Sequence, residues 1–242
     1  MSNRNFSPIP MSSRETMLGW LYLILQVALL PYIVSAVLLI LYPQYSPALL
    51  NLILFAINFL AVGVIFRKFL IRSFRDITGK VGSCAWKAAL ALVGCKLAVI
   101  AVNHLIFLCC PQYYVSTDFG PALQNINDRY ITQMAVQYAL PMAIATVFLV
   151  PPVEEILHRG VVFGSLYPKS PVLACLISTF LFAAVHVIGY VSMGDWLYLT
   201  ILFLQYIPPA LCLCFLYRGT DSILAPILMH MAFNAIGILS MR

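Results

Sequence analysis

Long apolar runs separated by short polar breaks set the pattern of this chain. The first run covers Met17–Tyr42, with Pro31 inside it as an expected kink, and Pro43, Gln44 and Pro47 then break the pattern. Further runs cover Ala48–Phe66, Cys84–Cys110, Ile131–Ser165, Val172–Gly189, Trp196–Tyr217 and Ile223–Leu239. A helix needs roughly 20 apolar residues to cross a bilayer, so the pattern predicts an all-α polytopic transmembrane helix bundle of about seven spans. The fourth run is long and interrupted by Pro141, Pro151 and Pro152; splitting it would give eight spans. The first run is too long for a signal-peptide core and has no small-residue cleavage site behind it, so it reads as a retained span. The expected organisation is a cytoplasmic N-terminal tail over residues 1–16, N-terminal transmembrane helices over 17–130, and a second helix bundle over 131–242. No internal repeat or low-complexity segment is visible.

Composition supports that reading and excludes others. Of 242 residues, 62% are hydrophobic and only 9% charged, with mean hydropathy +0.95. A soluble domain sits near half apolar and a quarter charged, and eight acids with fourteen bases cannot coat a water-facing surface of this size. A soluble fold, disorder and a nucleic-acid-binding surface are therefore excluded; the expected partner is the lipid bilayer. Seven cysteines lie mostly inside or at the ends of apolar runs, without a C-x-x-C pair, and read as small buried hydrophobes.

The net charge of +6 resolves into topology. Arg4 and Arg14 precede the first run, Arg67, Lys68, Arg72, Arg75 and Lys80 follow the second, Lys169 follows the fourth and Arg218 the sixth. With seven spans all of these fall on one side, against Arg129 and Arg242 on the other. The positive-inside rule then places the N-terminus in the cytoplasm; were the host bacterial, the membrane would be the inner one. Between residues 67 and 80 the bases alternate with Phe69, Leu70, Ile71, Phe74 and Ile77. That pattern suits an interfacial amphipathic helix on an anionic leaflet, or an ordinary cytoplasmic loop.

Ionisable groups at bilayer depth cost at least about 2.5–3.5 kcal/mol each, so those present are informative. Glu154, Glu155, His158 and Arg159 lie close together in the fourth run. On a helix Glu155 and Arg159 are i and i+4 and can pair, while Glu154 and His158 form a second i, i+4 set on a face rotated by about 100 degrees. A buried ion pair that fixes packing explains Glu155 and Arg159 but leaves Glu154 without a partner. His186 stands on the fifth run. His230 and Asn234, again i and i+4, share one face of the seventh. Counted from the turns near Tyr167, Lys169 and Gly219, the residues Glu154, His186 and His230 lie at depths of roughly 20, 25 and 16 Å. The spread is under two helical turns, so the three can close into one site.

The ordered set Glu154-Glu155…Arg159, Phe182…His186 and His230…Asn234 resembles the CPBP family, the CAAX-processing and bacteriocin-processing intramembrane endopeptidases also called Abi proteins. The run Ser222–His230 is similar to the family's approach to its last histidine. The resemblance covers roughly residues 140–240 and implies peptide-bond hydrolysis of a membrane-anchored peptide or protein, such as a prenylated CAAX tail or a leader peptide. It implies that Glu154 and His186 activate water, that His230 and Asn234 stabilise the oxyanion, and that Glu155 and Arg159 support the site. A desolvated carboxylate can serve as a general base, and one preorganised oxyanion donor is worth about 3 kcal/mol. One departure is that His158 stands where the family usually has an aromatic residue, most often Phe; the favoured reading is a harmless substitution facing the cytoplasmic mouth.

Family members have been described both as metalloproteases and as glutamate proteases. Two Glu and two or three His can form a zinc site, yet no H-E-x-x-H places two ligands on one helix; the expectation is a site without a cofactor, with divalent zinc as the alternative. Competing functions are a non-catalytic immunity or assembly protein of the same family and a proton-coupled transporter, the latter disfavoured because no matching halves are visible. His104, which matches no motif, reads as a packing or interhelical contact. Trp20, Trp86 and Trp196 read as interface anchors, and Gly160 with Gly164 as an intramolecular close-packing pair.

Overall fold

A computed structural model describes residues 6–117, 120–123 and 138–240 of the chain. Helix α1 (Ser13–Ala28) opens with a capping box: Ser12 accepts from the Glu15 N–H, and the Glu15 carboxylate accepts from the Ser12 N–H at 2.8 Å. Helix α2 (Leu30–Leu41) continues the first apolar run after a 50° bend. Pro31 causes it, because it has no N–H to offer the Val27 carbonyl four residues back. Helices α3 (Pro47–Ile65), α4 (Arg67–Ile77) and α5 (Val81–Cys109) follow. A 3-10 turn at Pro111–Tyr113 then leads into a small antiparallel hairpin, β1 (Tyr114–Thr117) and β2 (Gly120–Leu123), with Tyr114 opposite Leu123.

The remaining helices are α6 (Tyr138–Leu166), α7 (Pro171–Val187), α8 (Trp196–Thr220) and α9 (Leu224–Ser240). The architecture is an all-α polytopic bundle. Among the described residues five helices are long and apolar enough to cross a membrane, or six with the bent pair α1–α2 counted as one span. Helix α9 supplies the seventh apolar segment of the sequence pattern but is only 17 residues long. The fourth run is one 29-residue helix despite its prolines, not two spans. Residues 131–137 at the start of that run, together with Arg4, Asp118, Asp128, Arg129 and Arg242, lie outside the described residues. Many large apolar side chains face outward, Ile40, Leu41, Val64 and Leu108 among them, as a lipid-facing surface requires.

Helix α6 accommodates its prolines by widening into π turns at Ala145–Leu149 and Ile156–Phe163. At Val150 the N–H reaches back five residues to the Ala145 carbonyl. In that register the carbonyls of Thr146 and Val147 fall to Pro151 and Pro152, which have no N–H to give. The helix thus carries orphaned acceptors at mid-length.

One end of the bundle is closed by the N-terminal segment. Phe6 packs its ring on Phe163, Tyr167 and Tyr217 at centroid distances of 5.6, 4.4 and 5.1 Å. The Ser7 N–H donates to Asp221 at 3.0 Å. A Cβ on Gly160 would lie 2.5 Å from the Met11 side chain, so the small-residue pair of α6 receives this segment rather than a second helix. The amphipathic stretch expected at 67–80 is α4, which buries Phe69 and Ser73 and exposes Ile71 and Phe74. It is tied to α1 through Glu15, which accepts from the Phe69 N–H at 3.0 Å and pairs with Arg72 at 3.2 Å. The N-terminal segment, α4, the α6–α7 turn and the α8–α9 turn therefore share one end of the molecule.

Two smaller expectations change. His104 is exposed; its neighbour Asn103 makes the interhelical bond, accepting from Gln205 of α8. Trp86 and Trp196 are exposed near helix ends, but Trp20 donates its indole N–H to Ser165 of α6 at 3.3 Å.

Glu15 holds the cap of α1, a buried backbone N–H of α4 and an arginine at once. Replacing it with alanine leaves the Phe69 N–H unpaired. Glu15→Ala should lower stability by about 1–3 kcal/mol, read as a drop in the melting temperature of the purified protein in detergent.

Candidate active site

The site begins with a buried ion pair on the widened turn of α6. Glu155 and Arg159 have 0% exposed side chains and pair one turn apart, Arg159 Nη1 to Glu155 Oε1, at 3.1 Å. Two bare charges in this setting would be prohibitive; pairing and extra hydrogen bonds make them tolerable. Arg159 Nη2 donates to the Ala210 carbonyl of α8 at 2.9 Å, and the guanidinium lies 4.4 Å from the centre of the Phe182 ring of α7. The i, i+4 pairing expected from spacing alone is therefore present, and it also joins α6 to α7 and α8.

The same Glu155 oxygen reaches α9. His230 Nδ1 lies 2.9 Å from Glu155 Oε1. A paired carboxylate accepts, so Nδ1 carries the hydrogen and Nε2 points elsewhere. It points to Glu154: His230 Nε2 is 3.7 Å from Glu154 Oε2. On the other side, His186 Nδ1 lies 2.7 Å from the Phe182 carbonyl, which again makes Nδ1 the donor. His186 Nε2 is 3.7 Å from Glu154 Oε1. Glu154 thus sits between two imidazoles, one per carboxylate oxygen, with about a fifth of its side chain exposed. The three groups placed at similar depth by residue counting are brought together.

This geometry has a chemical consequence. A separation of 3.7 Å is too long for a direct hydrogen bond. With both Nδ1 atoms acting as donors elsewhere, each Nε2 is left to turn a lone pair toward the Glu154 carboxylate. Three acceptors then converge with no donor between them, an arrangement suited to a water molecule, which brings two O–H groups. Among the described residues no group of three or more His, Cys, Asp and Glu side chains is arranged to hold a metal ion.

Asn234 is held differently from what its spacing to His230 alone indicates. Its amide nitrogen donates to the Thr146 carbonyl at 3.0 Å. That carbonyl is one of the two orphaned by Pro151 and Pro152, so Asn234 satisfies an acceptor that the helix itself cannot. One amide hydrogen is used in this way.

His158 is not at a cytoplasmic mouth. Its side chain is fully buried, and Nδ1 lies 2.8 Å from the Glu154 backbone carbonyl, not its carboxylate. The ring meets Phe182 edge-on at 5.3 Å. The i, i+4 set of Glu154 and His158 therefore fails as a side-chain pair: the ring turns back onto its own helix. Phe182, by contrast, lies against Arg159, His158, His186 and His230, the last two at 4.6 and 5.9 Å between ring centroids. Sequence reasoning also missed Tyr206 of α8, stacked on His186 at 4.2 Å, and Thr146, for which residue spacing offers no signal.

Comparison with known proteins bears on the same region. Residues 136–236 match the model of the Rce1-like family, described as type II CAAX prenyl endopeptidase Rce1-like. That match covers the stretch that carries the three motifs and agrees with the resemblance drawn from them. Among curated proteins, the chain is 34% identical over 125 residues to one named "Putative membrane peptidase YdiL" of Bacillus subtilis (strain 168). That similarity spans 51% of this chain and 45% of the relative, so the chain matches about half the length of the curated relative. No solved structure matches the chain. The apolar helices make the chain an integral membrane protein, and residues 136–236 are similar to a protease family.

Two outcomes follow from the buried network. Arg159→Ala strands the Glu155 carboxylate and should cost about 3–5 kcal/mol, seen as lost folded yield. The double variant Glu155→Met, Arg159→Met should recover most of that yield, because a well-packed apolar pair is tolerated. His158→Phe loses one hydrogen bond but removes a buried Nε2 that has no partner among the described residues. Its melting temperature should stay close to wild type, a net change within about 1 kcal/mol.

Proposed function

We propose that this protein is an intramembrane endopeptidase that hydrolyses a peptide bond in a membrane-associated substrate. The carrying observation is Glu154 flanked by the Nε2 atoms of His186 and His230, both at 3.7 Å. A water held among these acceptors gives up a proton to Glu154, with His186 fixing its orientation. The resulting hydroxide attacks the scissile carbonyl carbon, and the carbonyl π electrons move to oxygen. The oxyanion takes hydrogen bonds from the second amide hydrogen of Asn234 and from Nε2 of His230, which receives the water's proton from Glu154 while its Nδ1 remains on Glu155. Collapse of the tetrahedral intermediate breaks the C–N bond, and the proton passes from His230 back through Glu154 to the departing amine. Glu155 and Arg159 act through His230 rather than on substrate.

The description of the matched family points to a CAAX-type prenylated tail as substrate class, and a bacterial leader peptide fits the same chemistry. The N-terminus, α4 and the α6–α7 and α8–α9 turns face the cytoplasm in this reading. Arg14, Arg67, Lys68, Arg72, Arg75, Lys80, Lys169 and Arg218 gather at that end, as the positive-inside rule requires. No metal takes part.

Purified protein given a panel of fluorogenic membrane-anchored peptides should cleave at least one. Glu154→Ala and Glu154→Gln should each lower kcat by about a thousandfold or more while leaving the melting temperature unchanged. Chelator treatment should leave the rate intact. Cleavage that survives both Glu154 variants removes the base assignment, and loss on chelation restored by zinc removes the metal-free mechanism.

A further inference from the structure

The mechanism requires the His186 ring to hold one plane, and the contacts that fix it are unequal. Nδ1 is anchored on the Phe182 carbonyl of its own helix at 2.7 Å. One anchored atom leaves the ring free to rock, because the terminal torsion of histidine is broad. Phe182 touches the ring at 4.6 Å between centroids, with the planes 38° apart. Tyr206 lies closer and flatter, at 4.2 Å and 29°. It comes from α8, so it also couples the ring to a second helix.

Tyr206 is supported from two sides. The preceding residue, Gln205, donates its side-chain amide to Asn103 of α5. Residues Val187, Tyr198, Leu199 and Leu202 form a buried apolar cluster against which Tyr206 packs. Pro208 and Pro209 lie inside α8 just beyond. They withhold N–H groups from the Leu204 and Gln205 carbonyls, which interrupts the hydrogen-bond ladder of the turn that carries Tyr206.

We propose that Tyr206 is a positioning residue for His186: its ring face sets the plane in which Nε2 looks at Glu154. The proposal rests on the hydrolase reading for its kinetic consequence but not for its structural one. A ring that rocks away from Glu154 places the attacking water wrongly, and small misplacements of reacting groups cost rate rather than binding. The aromatic face of Tyr206 provides this hold.

Three variants and two readouts test it. Tyr206→Phe and Tyr206→Trp keep a stacking face, and Tyr206→Leu keeps apolar bulk without one. Tyr206→Leu should lower kcat by about ten- to a hundredfold with KM changed less than about twofold, while Tyr206→Phe and Tyr206→Trp remain near wild type. In parallel, NMR of the protein labelled with 15N-histidine, with His186 assigned by its loss in His186→Gln, should show the His186 ring signals displaced in Tyr206→Leu and restored in Tyr206→Phe. The His230 signals should stay in place. The proposal is overturned if Tyr206→Leu leaves both kcat and the His186 signals unchanged, or if Tyr206→Phe fails as badly as Tyr206→Leu. Should Tyr206→Leu not fold, the Phe and Trp variants decide: loss of rate in both sinks the idea. If the wild type cleaves nothing, the hydrolase reading falls, and the His186 signals alone judge the hold by Tyr206.

Discussion

The pairing of Glu155 with Arg159 inside the bundle is the constraint on which the rest of the site depends. Neither charge is tolerable alone at this depth. Their pairing would be a merely structural device if it used all their hydrogen-bonding capacity, but it does not. Arg159 spends one nitrogen on the Glu155 oxygen and another on the Ala210 carbonyl, and lays its plane near the Phe182 ring. The Glu155 oxygen still accepts from His230. A salt bridge within one helix thereby becomes the joint among α6, α7, α8 and α9. It decides which nitrogen of His230 carries hydrogen and so what Nε2 can offer to Glu154. Two adjacent glutamates end in opposite circumstances: Glu155 is fully buried and paired, while Glu154 keeps some exposure and no direct hydrogen bond from either imidazole.

The prolines of α6 supply the second constraint. Two consecutive residues without N–H groups would normally break a transmembrane helix, since lipid provides no substitute donors. Here the helix widens instead, and one orphaned carbonyl, that of Thr146, is taken by Asn234. The last helix is docked by the defect in the fourth run. Placing His230 and Asn234 one turn apart on α9 lets a single helix serve both ends of the site: its histidine at the ion pair, its amide at the widened turn.

Much of this was legible in the chain, for definite reasons. Spans follow from apolar run length, which lipid enforces more strictly than water does. The Glu155–Arg159 pair follows from i, i+4 spacing, and the meeting of Glu154, His186 and His230 follows from similar depth. Features that depend on backbone register were not legible. The π turns carry no signature in hydrophobic period, so the acceptor for Asn234 was invisible. His158 was misplaced because its partner is a backbone carbonyl, and residue spacing shows side chains only. Tyr206 is one of 13 tyrosines, and nothing in its neighbourhood marks the ring that stacks on a histidine. The N-terminal segment read as a tail because its few apolar residues lack period, yet Phe6 and Met11 find specific seats.

Polar accounting separates a packing device from a site. Four of the buried side-chain atoms without a partner among the described residues are Glu154 Oε2, Glu155 Oε2, His158 Nε2 and Arg159 Nε. All four belong to one stretch of six residues on α6. Each such atom costs about 1–3 kcal/mol when left unsatisfied, and a helix chosen for stability alone would hold leucine or methionine there. Natural sequences break local rules mainly where function requires it. The concentration of buried polar atoms beside Glu154, within a bundle otherwise packed with apolar side chains, is what a preorganised polar pocket requires. An ion pair kept only for helix packing accounts for Glu155 and Arg159, but it gives no reason for Glu154 to stand open between two imidazoles.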